Sequence, residues 1–142
     1  KKYYNIGFAV DAAGRGLLVP VIKGAEQKKL IEIAAEIERL ANAARNLKLD
    51  AMDMKGGTFT ITNYGSVGGL FATPLINYPE AAILGLGRMY DKVVPVKGKI
   101  QIRKVLPVSL TFDHRIMDGV YAQQFINKLK EYLEDPDLLL LT

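Results

Sequence analysis

Apolar and polar positions change period several times along this chain, and each change marks an element. From Tyr3 to Val10 the apolar residues partly alternate, which predicts a strand ending at Asp11, and Asp11-Ala-Ala-Gly14-Arg15-Gly16 predicts a turn. Leu17 to Ile22 predicts a second strand, in which Pro20 limits pairing because it carries no N–H. From Glu26 to about Leu47 the spacing becomes helical: Leu30, Ile33, Ala34, Ile37, Leu40, Ala41, Ala44 and Leu47 recur at three- and four-residue steps, as in a helix packed on a sheet. Lys48 to Gly57 reads as a loop, Thr58 to Thr62 as an alternating strand, and Ala81 to Gly87 as a short apolar strand. Val93–Val96 and Lys99–Ile102 flank a Lys97-Gly98 turn as a hairpin. The apolar run Val105, Leu106, Val108, Leu110, Phe112 predicts a buried strand. A closing helix from about Val120 to Leu133 stops at Asp135-Pro136, because a following proline disfavours helical backbone. Strands and helices mix without the regular alternation of a doubly wound fold. The predicted class is therefore α+β, a sandwich with a mostly mixed sheet and helices on one side.

Bulk properties narrow the function. At 142 residues, 49% of them apolar, the chain has the length of one domain with a substantial core. No apolar run approaches the ~20 residues of a membrane helix, and Lys1-Lys2-Tyr3-Tyr4 leads into a strand pattern rather than a signal peptide. There is no cysteine, and one histidine without cysteine leaves too few nitrogen or sulfur ligands for zinc, so no metal site is expected. The net charge of +4 comes from scattered basic residues. A solvated face is preferred over attraction of an anionic cofactor, and the dense basic cluster of a nucleic-acid binder is missing. Gly65, Gly68 and Gly69 follow a strand but match no phosphate-binding fingerprint.

Chemistry concentrates in Pro107-Val-Ser-Leu-Thr-Phe-Asp-His-Arg-Ile-Met-Asp-Gly119, which holds the only histidine of the chain. The pattern delivers an imidazole to a strand-to-helix corner, and imidazole is the side chain that titrates nearest neutral pH. A structural histidine, with Asp118 simply capping the next helix, reads the same residues. The spacing His114-x-x-x-Asp118-Gly119 lets a carboxylate orient the corner while glycine permits a tight turn.

Asp113-His114-Arg115-Ile116-Met117-Asp118-Gly119 resembles the active-site signature of the dihydrolipoyl acyltransferases, the core component of 2-oxoacid dehydrogenase complexes. His-x-x-x-Asp-Gly alone is also found in chloramphenicol acetyltransferases and peptide-synthetase condensation domains. Gly16–Ile22, Gly56–Gly65 and Asn77–Gly87 resemble the dihydrolipoyl family in its own order, so the similarity spans nearly the whole chain. The resemblance implies a chloramphenicol acetyltransferase-like fold and transfer of an acyl group between dihydrolipoamide and coenzyme A, the two acting as substrates. It implies His114 as general base and Thr62, where the family usually has serine, as the oxyanion donor. Asp118 shapes the site around His114, and Asp113 and Arg115 form ion pairs that fix the corner. Asp11, Asn63 and Gly87 fall where the family lines its coenzyme A passage, although their local readings are turn, turn and close backbone approach.

The resemblance further implies a homotrimer built into a larger shell, with His114 and Thr62 of one site coming from different subunits. The partners would be a lipoyl domain and, through modules outside residues 1–142, the decarboxylase and dihydrolipoamide dehydrogenase components. The lipoate attachment site would also lie outside this chain, no nucleic-acid or membrane partner is expected, and the compartment would be the cytoplasm, or the mitochondrial matrix in a eukaryote. The chain is expected to be a catalytic core lacking its N-terminal portion. Two other readings stand beside this one: a scaffold that assembles without catalysing, and a small-molecule acetyltransferase using the same His-x-x-x-Asp-Gly site. The tail Leu138-Leu-Leu-Leu141-Thr142 is expected to fold onto its own core or into a neighbouring subunit.

Overall fold

A computed structural model describes residues 3–12 and 14–140. Two compact units divide the chain, residues 1–111 and 112–142.

In the first unit the predicted Tyr3–Val10 strand is two strands, β1 (Ile6–Phe8) and β2 (Val10–Asp11). The Leu17–Ile22 segment likewise splits into β3 (Leu17–Leu18) and β4 (Val21–Ile22). The breaks lie where the ladders change partner: Ala9 donates its N–H to Ile61, and Pro20, buried and without an N–H, offers only its carbonyl, to Phe8. β1 pairs antiparallel with β4 and parallel with β5 (Phe59–Asn63), while β2 and β3 form a separate two-stranded sheet. β5 pairs parallel with β6 (Ala82–Leu86), and β9 (Val108–Phe112) closes the sheet, whose order is β4-β1-β5-β6-β9. The burial of Ala82 to Gly85 fits a central strand covered on both faces. The hairpin of β7 (Tyr90–Val96) and β8 (Lys99–Val105) is longer than the apolar pattern predicts, and Lys97 and Gly98 both take positive φ as a two-residue turn requires.

Helix α1 (Leu30–Arg45) is shorter than its apolar stripe. Leu47 lies beyond it with φ 55°, and the preceding turn at Ala25–Gln27 is a separate 3-10 element. The Glu32 carboxylate accepts the Lys29 N–H at 2.7 Å and fixes the first turn. Burial is confined to the C-terminal half: Leu40, Ala41 and Ala44 are buried, and Ala41 and Ala44 pack with Val10 against Phe8, Leu18 and Leu49. Leu30 (83% exposed) and Ile37 of the stripe stand in solvent, which corrects the expectation that the whole stripe lies on the sheet. Periodicity defines an apolar face but not whether this chain covers all of it.

A long connection joins β5 to the parallel β6 with a single 3-10 turn, Gly65–Val67, in place of an α-helix, and a buried side-chain latch holds its end. Thr60 of β5, wholly buried, donates its hydroxyl to Glu80 Oε2 at 2.7 Å, and Asn77 Nδ2 donates to Oε1 at 3.3 Å. Gly57 backs the same carboxyl group closely, so that a Cβ there would displace it.

In the second unit a turn at residues 113–117 leads into α2 (Gly119–Glu134), followed by a 3-10 turn, Pro136–Leu140, packed on it. Ala122 is the buried residue of α2, and Ile126 and Leu129 are half-buried. Leu138 is half-buried, while Leu141 and Thr142 of the leucine tail lie outside the described residues. Among the described residues no helix is long and apolar enough to cross a membrane, and no cluster of acidic and histidine side chains could hold a metal ion.

Candidate active site

The predicted site residues divide between the two units. In the second, His114 is exposed on a corner built by its neighbours. The Asp113 carbonyl accepts the N–H of Ile116 at 2.9 Å and of Met117 at 3.2 Å, turning the chain as β9 ends. The Asp113 carboxylate grips Arg115 on the other side of the histidine: Oδ1 accepts the Arg115 backbone N–H at 2.9 Å and Nε at 3.0 Å, and Oδ2 accepts a guanidinium N–H at 2.6 Å. These bonds to the guanidinium, then to the backbone N–H, hold the Asp113 carboxyl at a pKa of about 2. The expected ion pair is therefore present and spans His114. The imidazole lies against Phe112, with ring centroids 5.6 Å apart. Asp118 adopts extended backbone as the N-cap of α2 and accepts the Tyr121 N–H at 2.8 Å, which is the capping role of its carboxylate.

In the first unit, Thr62 and Asn63 end β5 opposite Gly85 and Leu86 of β6. The Thr62 hydroxyl is half-buried and has no hydrogen-bond partner among the described residues. Asn63 makes the turn that its sequence context predicts, its Oδ1 accepting the N–H groups of Gly65 at 3.0 Å and Ser66 at 3.3 Å. Gly87 is a close backbone approach: a Cβ would meet the Leu70 carbonyl, and its N–H donates to Pro107 at 2.8 Å. The Gly65 backbone sits in turn against the Gly87 carbonyl, so Asn63 and Gly87 belong to one packed cluster. Asp11 stands elsewhere, exposed in β2 opposite Leu17.

Sequence reasoning passed over two residues of this cluster. Tyr64 follows Asn63 directly, and its phenol oxygen lies 3.0 Å from the Ser109 Oγ of β9. No local pattern announces a contact 45 positions apart; the only trace is Gly85, a glycine inside a fully apolar strand, which marks a close approach. A groove of about 430 Å³ lined by Lys23, Gln27, Lys28, Glu32 and Glu36 contains none of the predicted residues, and its Lys28–Glu36 ion pair at 2.8 Å balances its charge.

Residues 1–141 match the family model of the 2-oxoacid dehydrogenase acyltransferase catalytic domain. The dihydrolipoyllysine-residue acetyltransferase component of the pyruvate dehydrogenase complex of Bacillus subtilis is 50% identical over 141 residues, which are 99% of this chain and 32% of that protein. A solved structure of Azotobacter vinelandii dihydrolipoamide acetyltransferase, from work on the role of a serine, a histidine and an asparagine in its catalytic mechanism, superposes with a TM-score of 0.93 at 47% identity. The match covers 99% of this chain and 57% of that one. The cubic core of a pyruvate dehydrogenase multienzyme complex has the same TM-score, 0.93, at 46% identity and the same coverage. These neighbours bear out the predicted α+β acyltransferase fold. The chain spans about one third of the curated relative's length.

Proposed function

From the premise that this chain belongs to the catalytic-domain family of the 2-oxoacid dehydrogenase acyltransferases, we propose that it moves an acyl group between the thiols of dihydrolipoamide and coenzyme A, with His114 as general base. One observation carries the residue roles. The serine and histidine of the Azotobacter enzyme's mechanism are 52 positions apart and its asparagine four further on; Thr62, His114 and Asp118 repeat both separations. An imidazole open to solvent and a strand-end hydroxyl without a partner among the described residues support that reading.

Neutral His114 takes the proton of the attacking thiol, whose pKa near ~8.5 leaves it mostly protonated at neutral pH. The thiolate sulfur bonds to the thioester carbonyl carbon, and the electron pair moved to oxygen is met by the Thr62 hydroxyl of a neighbouring subunit donating a hydrogen bond. The intermediate collapses, the original carbon–sulfur bond breaks, and the departing sulfur takes the proton back from the imidazolium. Threonine keeps the oxygen that serine would supply, and its extra methyl stiffens χ1. Where the Azotobacter enzyme uses asparagine, Asp118 brings a carboxylate that caps α2 and so fixes the corner behind His114.

Asp11, Asn63 and Gly87 are proposed to line the coenzyme A passage, with Asn63 acting through its amide nitrogen because its oxygen is held by the turn. Assembly into a trimer-based shell with lipoyl-domain and dehydrogenase partners is the accompanying proposal. It is supported by the cubic core among the structural neighbours and by Val93, Ile100 and Ile102, exposed together on one face of the β7–β8 hairpin.

The test is an acyl-coenzyme A panel against dihydrolipoamide, with particle mass measured on the same sample. H114A should lower turnover by at least the ~10²–10⁴ of a lost general base while its circular dichroism stays unchanged. An undiminished H114A rate would overturn the assignment, and a fully assembled wild-type particle without transfer would select the scaffold instead.

A further inference from the structure

Paired residues of neighbouring strands present their side chains on the same sheet face, so the face Thr62 uses is the one a side chain at Gly85 would occupy. The Tyr64 ring fills that space: a Cβ on Gly85 would lie 2.6 Å from its Cε1, and Gly69 backs the ring on another side. The ring thus lies over Gly85, the β6 residue paired with Thr62, and its hydroxyl ends 3.0 Å from Ser109 Oγ on β9. Tyr64 N–H donates to the Leu86 carbonyl at 3.1 Å, extending the β5–β6 ladder one residue beyond the strand. Ring, backbone and hydroxyl together leave this side chain a single place to be. We infer that Tyr64, pinned by Ser109, is a positioning residue for Thr62: a fixed wall that holds the oxyanion donor's rotamer and the end of β5 that carries it. This rests on the acyl-transfer reading given above.

The step affected is stabilisation of charge on the carbonyl oxygen, so the loss falls on kcat rather than on substrate binding. Removing an oxyanion donor outright costs ~10²–10³ in kcat, and loosening one costs less, about tenfold. The experiment compares wild type, Y64F, S109A, the Y64F/S109A double variant, T62A and T62A/Y64F, all in the full assembled chain, by steady-state transfer from acetyl-coenzyme A to dihydrolipoamide. Y64F keeps the ring over Gly85 and should melt within a few degrees of wild type. It should lower kcat about tenfold with KM for both substrates nearly unchanged, S109A should match it, and the double variant should be no worse than either. In the T62A background Y64F should lower kcat no further. A wild-type kcat in Y64F, or the same tenfold loss with and without Thr62, overturns the inference. Absence of transfer by the wild-type protein would instead remove the underlying activity, so the two failures are distinguishable.

Discussion

Replacing Thr60 by valine tests what holds the end of the β5–β6 connection. The side chains are nearly isosteric, so T60V deletes one donor and little volume at a residue with no solvent exposure. Glu80, 8% exposed, would lose the 2.7 Å bond to its Oε2 and keep only the 3.3 Å bond from Asn77 to its Oε1. Stranding a buried acceptor costs ~1–3 kcal/mol, and water has little access to replace the donor, so we expect about 2 kcal/mol. For a chain of this length that lowers Tm by roughly 4–8 °C. E80Q is the control. It retains an acceptor oxygen for Thr60, and the Asn77 amide can turn its own oxygen toward the new NH2, so the loss should stay below ~1 kcal/mol. Urea midpoints at one fixed protein concentration, with the slope checked for constancy, give both numbers. A T60V protein as stable as wild type, or an E80Q protein as damaged as T60V, would refute the idea that an unsatisfied carboxyl oxygen sets the cost.

The corner around His114 supplies two more predictions. D118A removes the N-cap of α2 and should cost ~0.5–2 kcal/mol in denaturant unfolding, whereas D118N, which can still accept the Tyr121 N–H, should lose only a few tenths. Asp113 has its folded pKa depressed from 3.8 to about 2, so the stability it contributes is fully present above pH 3.8 and is lost as the pH falls from there toward 2. Unfolding midpoints measured across that window should therefore fall less steeply with acid in D113N than in wild type; identical slopes would show that the Arg115 grip contributes nothing.

What the sequence determined is what neighbours a few positions apart can determine. The strand read from Thr58–Thr62, the Lys97-Gly98 turn, the cap at Asp118 and the solitary His114 at a strand-to-helix corner all rest on patterns within about four residues, and each is present in the fold, although within the strand it is the polar Thr60 that is wholly buried. The signature at residues 113–119 was legible for the same reason. Tertiary structure decided which strands pair and which side chains meet across them. The split at Ala9 and Pro20 follows from a hydrogen bond to Ile61 and from β1 standing between β4 and β5. The Thr60–Glu80 latch and the Tyr64–Ser109 contact join residues 20 and 45 positions apart, and neither end carries a local mark of the other. The stripe on α1 shows the limit from the other side: helical spacing aligned Leu30 with Leu40, but only packing decided that Leu40 would be buried and Leu30 left in solvent. Hydrophobic periodicity orients a face, and what it faces is set by the rest of the chain and its neighbours.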